Sequence, residues 1–100
     1  MDPAIPDILI SDLVVSTAGR DRGQLYYVIG TEDDFLMMVD GKDRTLDKPK
    51  SKKRRHVQKV LRSETRVADK LRTGDKVLNG ELRRDLAFLA REMQANNLGG

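Results

Sequence analysis

"DLVVSTAGRDRGQLYYVIG", residues 12–30, sets two apolar runs on either side of a polar loop. "DLVVST" (12–17) and "QLYYVIG" (24–30) are rich in β-branched and aromatic residues, which favour strands. Between them "AGRDRGQ" (18–24) carries two glycines, two arginines and an aspartate. Gly19 and Gly23 suit a turn in which glycine supplies positive φ. They do not suit a Walker-type nucleotide loop, because only three residues separate them and Gln24 follows the second. A membrane-helix GxxxG face fails too, since the intervening residues are charged. Turn chemistry leaves Arg20 and Arg22 unexplained. Two guanidiniums on a glycine turn can reach phosphates, and the glycines let a nucleic-acid backbone come close.

Working outward, "FLMMVDG" (35–41) predicts a third strand after a turn at "EDD" (32–34), and "DGKD" (40–43) is a hairpin signal. "RTLDKP" (44–49) predicts a short fourth strand ended by Pro49, and "HVQKVL" (56–61) a fifth. Short strands this closely spaced predict a small barrel. Past Leu61 the pattern turns helical. Ser63 is placed to cap "ETRVADKLRTG", which Gly74 ends, and Asn79 to cap "GELRRDLAFLAREMQANN". Leu82, Leu86, Leu89 and Met93 recur at helical steps and form one apolar stripe. The terminal "NNLGG" (96–100) is expected to fray. The expected fold class is therefore mainly β with a helical tail. A lead-in (1–10), made non-helical by Pro3 and Pro6, precedes a five-stranded barrel (11–61) and two C-terminal helices (62–98). Adjacent Tyr26 and Tyr27 point to opposite faces of their strand, one into the core and the other partly exposed. Phe35 and Phe88 are expected in the core.

One hundred residues make one domain with a modest core. The chain is 35% charged and 4% aromatic with no Trp, a composition poorly suited to a deep apolar substrate pocket. It has no cysteine, which removes disulfides and thiolate zinc sites and fits a reducing compartment. His56 is its one histidine, so no multi-histidine metal site can be assembled. "MDPAIPDILI" (1–10) is acidic and proline-broken, unlike a secretory leader, and no apolar run reaches membrane-spanning length. A cytoplasmic protein without cofactor, metal or small-molecule substrate is expected. No catalytic constellation can be built around a single histidine, so an enzyme is not expected. Asp33 and Asp34 read as a solvated turn. Asp40, Asp43 and Asp47 read as turn caps and partners of Lys42, Arg44 and Lys48.

The net charge of +3 is unevenly spread. Residues 1–41 hold two arginines against eight acids, residues 42–62 ten cations against two acids, and residues 63–100 seven against six. That swing points to one polyanion-binding face. Its densest part, "KPKSKKRRH" (48–56), reads either as a solvated linker or as a phosphate-binding loop held at both ends by strands. A membrane-surface role ranks below both, because aromatic or aliphatic anchors are missing. His56 is either structural or a donor to phosphate or a 2′-hydroxyl.

Taken together, "STAGRDRG" (16–23), "VDG" (39–41) and "PKSKKRRH" (49–56), in that order, resemble KOW-domain proteins. The likeness is to the KOW proteins of the large ribosomal subunit in archaea and eukaryotes, and more closely to their small bacterial relatives, the KOW-domain RNA-binding proteins. It covers residues 10–61 and, in the bacterial relatives, "KLRTGDKVLNGELRRDLAFL" (70–89). The resemblance implies an SH3-like barrel that binds RNA, with ribosomal RNA as the expected partner and ribosomal proteins as further ones. Gly23 matches the family's glycine, Arg20 and Arg22 its basic loop, and Lys50, Lys52, Lys53 and His56 its basic stretch. With Lys42, Arg44, Lys48, Arg54 and Arg55 added on charge, these twelve form the expected RNA-binding set. The alternative is a protein-interaction adaptor for the transcription or translation machinery that uses the barrel and an exposed Leu82–Leu86–Leu89 stripe.

Overall fold

The computed structural model describes residues 7–99, with side chains through Ala95. The expectations for Pro3, Pro6 and the side chains of "NNLGG" lie outside the described residues. Five strands, β1 (Asp12–Ser16), β2 (Leu25–Glu32), β3 (Phe35–Val39), β4 (Lys50–Lys53) and β5 (Val57–Arg62), precede two helices, α1 (Arg66–Thr73) and α2 (Asn79–Gly99). The strands form one antiparallel sheet in the order β4-β3-β2-β1-β5. A single 3-10 turn, Arg54–His56, carries the chain from one sheet edge, β4, to the other, β5. Register shifts at Leu13/Val14 and at Val28/Gly30 are bulges of the kind that bend strands, and the result is a small barrel-like sheet with a helical tail.

Both faces of the sheet are buried. Inside the curl lie Ile8, Val14, Tyr26, Val28, Leu36, Met38 and Val57. On the outer face Leu13, Tyr27 and Val39 meet Val67, Ala68, Val77, Leu82, Leu86 and Leu89 of the helical region. Successive residues of a strand point to opposite faces, so neighbours such as Leu13 and Val14, or Met38 and Val39, enter different cores. This accounts for apolar runs in place of alternation. It also corrects the reading of the tyrosines: they do point apart, but both are buried. Tyr27 shares its hydroxyl with Ser63 at 2.8 Å and donates to Asp85 on α2. Burial, then Asp85, push its pKa up to about 12.

Several local expectations are corrected. Residues 44–49 form turns, not a strand. Pro49 has no N–H, and the Leu46 N–H donates to the Asn79 side chain at 2.9 Å instead of to a ladder. The fourth strand is "KSKK", inside the basic segment, so "DGKD" begins a ten-residue connection and not a tight hairpin. Thr65, not Ser63, caps α1, accepting from the Ala68 N–H at 3.2 Å, because the Ser63 hydroxyl is engaged by Tyr27. Gly74 ends that helix as expected. Asn79 starts α2, but its side chain holds Leu46, and Glu81 takes the Leu78 N–H at 3.2 Å. Phe35 and Phe88 are not core residues, being 41% and 46% exposed. Phe88 lies on the far side of α2 from Leu86, and Phe35 sits at the start of β3, at the β2–β3 turn.

Candidate nucleic-acid interface

The loop of residues 17–24 is a tight hairpin. The Gly23 N–H donates to the Ser16 carbonyl at 2.8 Å, and the Ser16 N–H to the Gln24 carbonyl at 3.1 Å. Gly23 has φ +91° with open space where a Cβ would stand, so its backbone is approachable from outside. The arginines and the aspartate between the glycines part company. Arg20 and Arg22 are exposed, and Asp21 turns inward. There it accepts from Ser16 Oγ at 2.9 Å, Tyr26 Oη at 2.8 Å and Lys52 Nζ at 2.6 Å, and pairs with Lys50 Nζ at 3.1 Å. Burial acts to raise the Asp21 pKa, but hydrogen bonds from Lys52, Tyr26, Ser16 and Lys50 outweigh it and hold the carboxyl well below the usual range.

Two of the expected phosphate contacts are thereby accounted for otherwise. The Lys52 side chain is only 9% exposed, and Lys50 and Lys52 lie in register with the inward-facing Met38 and Leu36. Nearly buried Lys52 and half-buried Lys50 clamp β4 to the β1–β2 loop through Asp21. Arg54 is partly engaged as well, since its Nε donates to the Asp33 carbonyl at 2.7 Å and braces the β2–β3 turn. His56 is half-buried, and its carbonyl accepts the Thr17 N–H at 2.9 Å. The remaining cations of the set, Arg20, Arg22, Lys42, Arg44, Lys48, Lys53 and Arg55, are exposed and carry no ion pair among the described residues.

The segments that bear them adjoin one another. Thr17 is fastened to His56 of the 3-10 turn, and the Gln24 side-chain amide donates to Asp40 at the head of the β3–β4 connection. Asp40 is itself buried and accepts the N–H groups of Lys42 and Arg44 at 2.9 and 2.8 Å. The β1–β2 loop therefore lies between the other two cationic segments and touches both. α2 extends the group: Arg83 donates to the Gly41 carbonyl at 3.0 Å, with exposed Arg84 beside it. Neither arginine was in the set read from sequence. Their proximity depends on the contact between Gly41 and the first turn of α2, which leaves no local signal.

Three of the eight acids of residues 1–41 are folded inward, while Asp7 stays exposed. Asp12 is buried against Leu9 N–H, Lys59 and Arg62, while Asp21 and Asp40 are engaged as above. Glu32, Asp33 and Asp34 stay exposed at the β2–β3 turn. Among the described residues no cluster of three or more potential metal ligands occurs, and no helix is long and apolar enough to cross a membrane. No family model matches the chain, and no curated protein matches it.

Proposed function

We propose that this protein is a non-catalytic RNA-binding module that docks structured RNA, of ribosomal type, through the β1–β2 loop, the β3–β4 connection and the 3-10 turn. The observation that carries the reading is that seven exposed cations, without an ion pair among the described residues, lie on three segments bonded to one another and on the end of β4 beside them. A rigid cationic surface loses little entropy on docking, and each phosphate it meets releases counterions. Phosphate contacts of this kind position a protein without reading sequence. The KOW-like "STAGRDRG…VDG…PKSKKRRH" pattern supports the same reading, and a ribosomal RNA partner would place the protein in the cytoplasm. The adaptor reading needs an exposed leucine stripe, but Leu82, Leu86 and Leu89 are buried against the sheet.

The test is charge reversal that spares Lys50 and Lys52. Arg20, Arg22, Lys53 and Arg55 are changed together to Glu, and affinity for a ribosomal RNA fragment is measured across salt. Binding is expected to weaken at least about 100-fold, with the slope of log K against log salt shallower by roughly three. Co-sedimentation with ribosomal particles at low salt is expected to be lost in parallel. Unchanged affinity with an unchanged slope would overturn the proposal.

A further inference from the structure

Beside the cationic segments lies a groove of about 950 Å³ whose lining includes Phe35, Ile8 and Val57 as apolar surface and Lys53, Arg55 and Gln58 as polar surface. It is formed where the β2–β3 turn faces the 3-10 turn and the start of β5. Its size suits a nucleotide or two.

We infer that this groove is a subsite for an unpaired RNA base, stacked on the ring of Phe35. The inference rests on the RNA-binding reading and deepens it. Phe35 is 41% exposed although it starts a strand whose next residues enter the cores. Among the four aromatic residues, Tyr26 and Tyr27 are buried and Phe88 is on α2, so only Phe35 offers a ring in this groove. Phe35 is paired in register with Lys53 across β3 and β4, which puts the two side chains on one face about 5 Å apart at Cβ. That spacing suits a base on the ring and its own phosphate at the ammonium group. Arg55, exposed on the adjoining turn, is placed for a neighbouring phosphate.

The acids in the lining decide the chemistry of the occupant. Asp34 and Asp7 also line the groove, and they repel any anion, so phosphates are confined to the side of Lys53 and Arg55 and the acids are left to a neutral group. A carboxylate and the Gln58 amide do suit the edge of a base, since Asp accepts from exocyclic amines and Gln both donates and accepts. A duplex keeps its bases stacked inside and cannot offer one to Phe35, so the subsite selects loops, bulges or single strands. The 3-10 turn joins the two surfaces: Arg54 and Arg55 line the groove, and the His56 carbonyl holds the β1–β2 loop.

Because the chain has no Trp, Phe35→Trp installs a single fluorophore in the subsite. On titration with a short oligo-adenylate its emission is expected to be quenched, with affinity within about twofold of the parent. Phe35→Ala is expected to weaken oligo-adenylate about 5- to 100-fold while leaving a fully paired RNA hairpin stem within about twofold. Oligo-adenylate binding that neither quenches the indole of Phe35→Trp nor changes in Phe35→Ala, but is abolished by the fourfold charge reversal, overturns the base subsite and leaves the RNA-binding reading standing. Equal loss of stem and single-strand binding in Phe35→Ala also overturns it. Quenching by an acidic peptide with none by oligo-adenylate would overturn it too and make the groove a peptide site. If charge reversal leaves all RNA binding unchanged, the broader reading fails and the subsite with it.

Discussion

Asp21 shows how one side chain changes the meaning of its neighbours. It stands between Arg20 and Arg22 in the sequence, yet its carboxylate reaches Lys52, more than thirty residues on, and Tyr26 on the following strand. A carboxylate with four donors is strongly held, and removing its charge leaves Lys50 and Lys52 without their counterion. Asp21→Asn is expected to cost about 2–3 kcal/mol in urea unfolding at neutral pH, because Lys52 is left nearly buried without its counterion. The pH dependence follows from the lowered pKa. The unfolded carboxyl titrates near 3.8 and the folded one below that, so its contribution is fully present above pH 3.8 and is lost as the pH falls toward the folded value. The parent should lose stability over that acid range more steeply than Asp21→Asn. Parallel curves for the two proteins would show that Asp21 does not hold the loop. None of this was legible locally, because an aspartate's direction depends on which strand lies across from it.

At the scale of elements, β1, β2 and β3 were legible because apolar runs bounded by turn residues mark strands buried on both faces, and β5 was legible by its alternation. β4 was not, because "KSKK" carries no apolar signal. It is an edge strand whose inward residues are lysines satisfied by Asp21, while residues 44–49, with better β composition, are drawn off to α2 through Leu46 and Asn79. The basic segment read as a loop or linker is thus partly ladder, which explains why only some of its cations face outward. The β3–β4 connection has its own test in two glycines of positive φ. At Gly41 an added Cβ would stand 2.3 Å from the Asn79 carbonyl oxygen and 2.9 Å from Leu82 Cβ, at φ +78°. Gly23, at φ +91°, has nothing within 4 Å. Gly23→Ala should therefore cost only backbone strain, about 1 kcal/mol. Gly41→Ala must also push α2 off the loop, and should cost more than about 3 kcal/mol, lowering Tm by at least about 10 °C for a chain of this size. Equal shifts in thermal unfolding would mean that the Gly41–α2 contact does not carry the connection.

For the whole molecule, "helical tail" understates what α1 and α2 do. The stripe of Leu82, Leu86, Leu89 and Met93 packs against Leu13, Tyr27 and Val39 and closes one of two cores built on a single sheet, which its helical period alone does not reveal. Without the helices, Leu13, Tyr27 and Val39 would face water, and the Tyr27 hydroxyl would lose Ser63, Thr65 and Asp85 together. Fully burying one such apolar side chain is worth about 1.5–3 kcal/mol, so exposing several exceeds much of the roughly 5–15 kcal/mol typical of a whole domain. A chain cut after Arg62 is accordingly expected to show no cooperative thermal transition, whereas the full chain should unfold in one step that coincides by circular dichroism and by tyrosine absorbance. Alkaline titration gives an independent readout. In the full chain Tyr27 is raised from 10.0 to about 12 and Tyr26 is raised as well, so little tyrosinate should form until the fold itself gives way. A raised tyrosine pKa contributes stability that is complete below pH 10 and disappears as the pH climbs through about 12, so tyrosinate absorbance and loss of helix should rise together over that window. In the truncated chain both tyrosines should titrate near the ordinary value with no accompanying transition. A truncated chain that melts cooperatively and keeps its tyrosines protonated past about pH 11 would show that the barrel stands alone, and that the second core adds to a fold already complete without it.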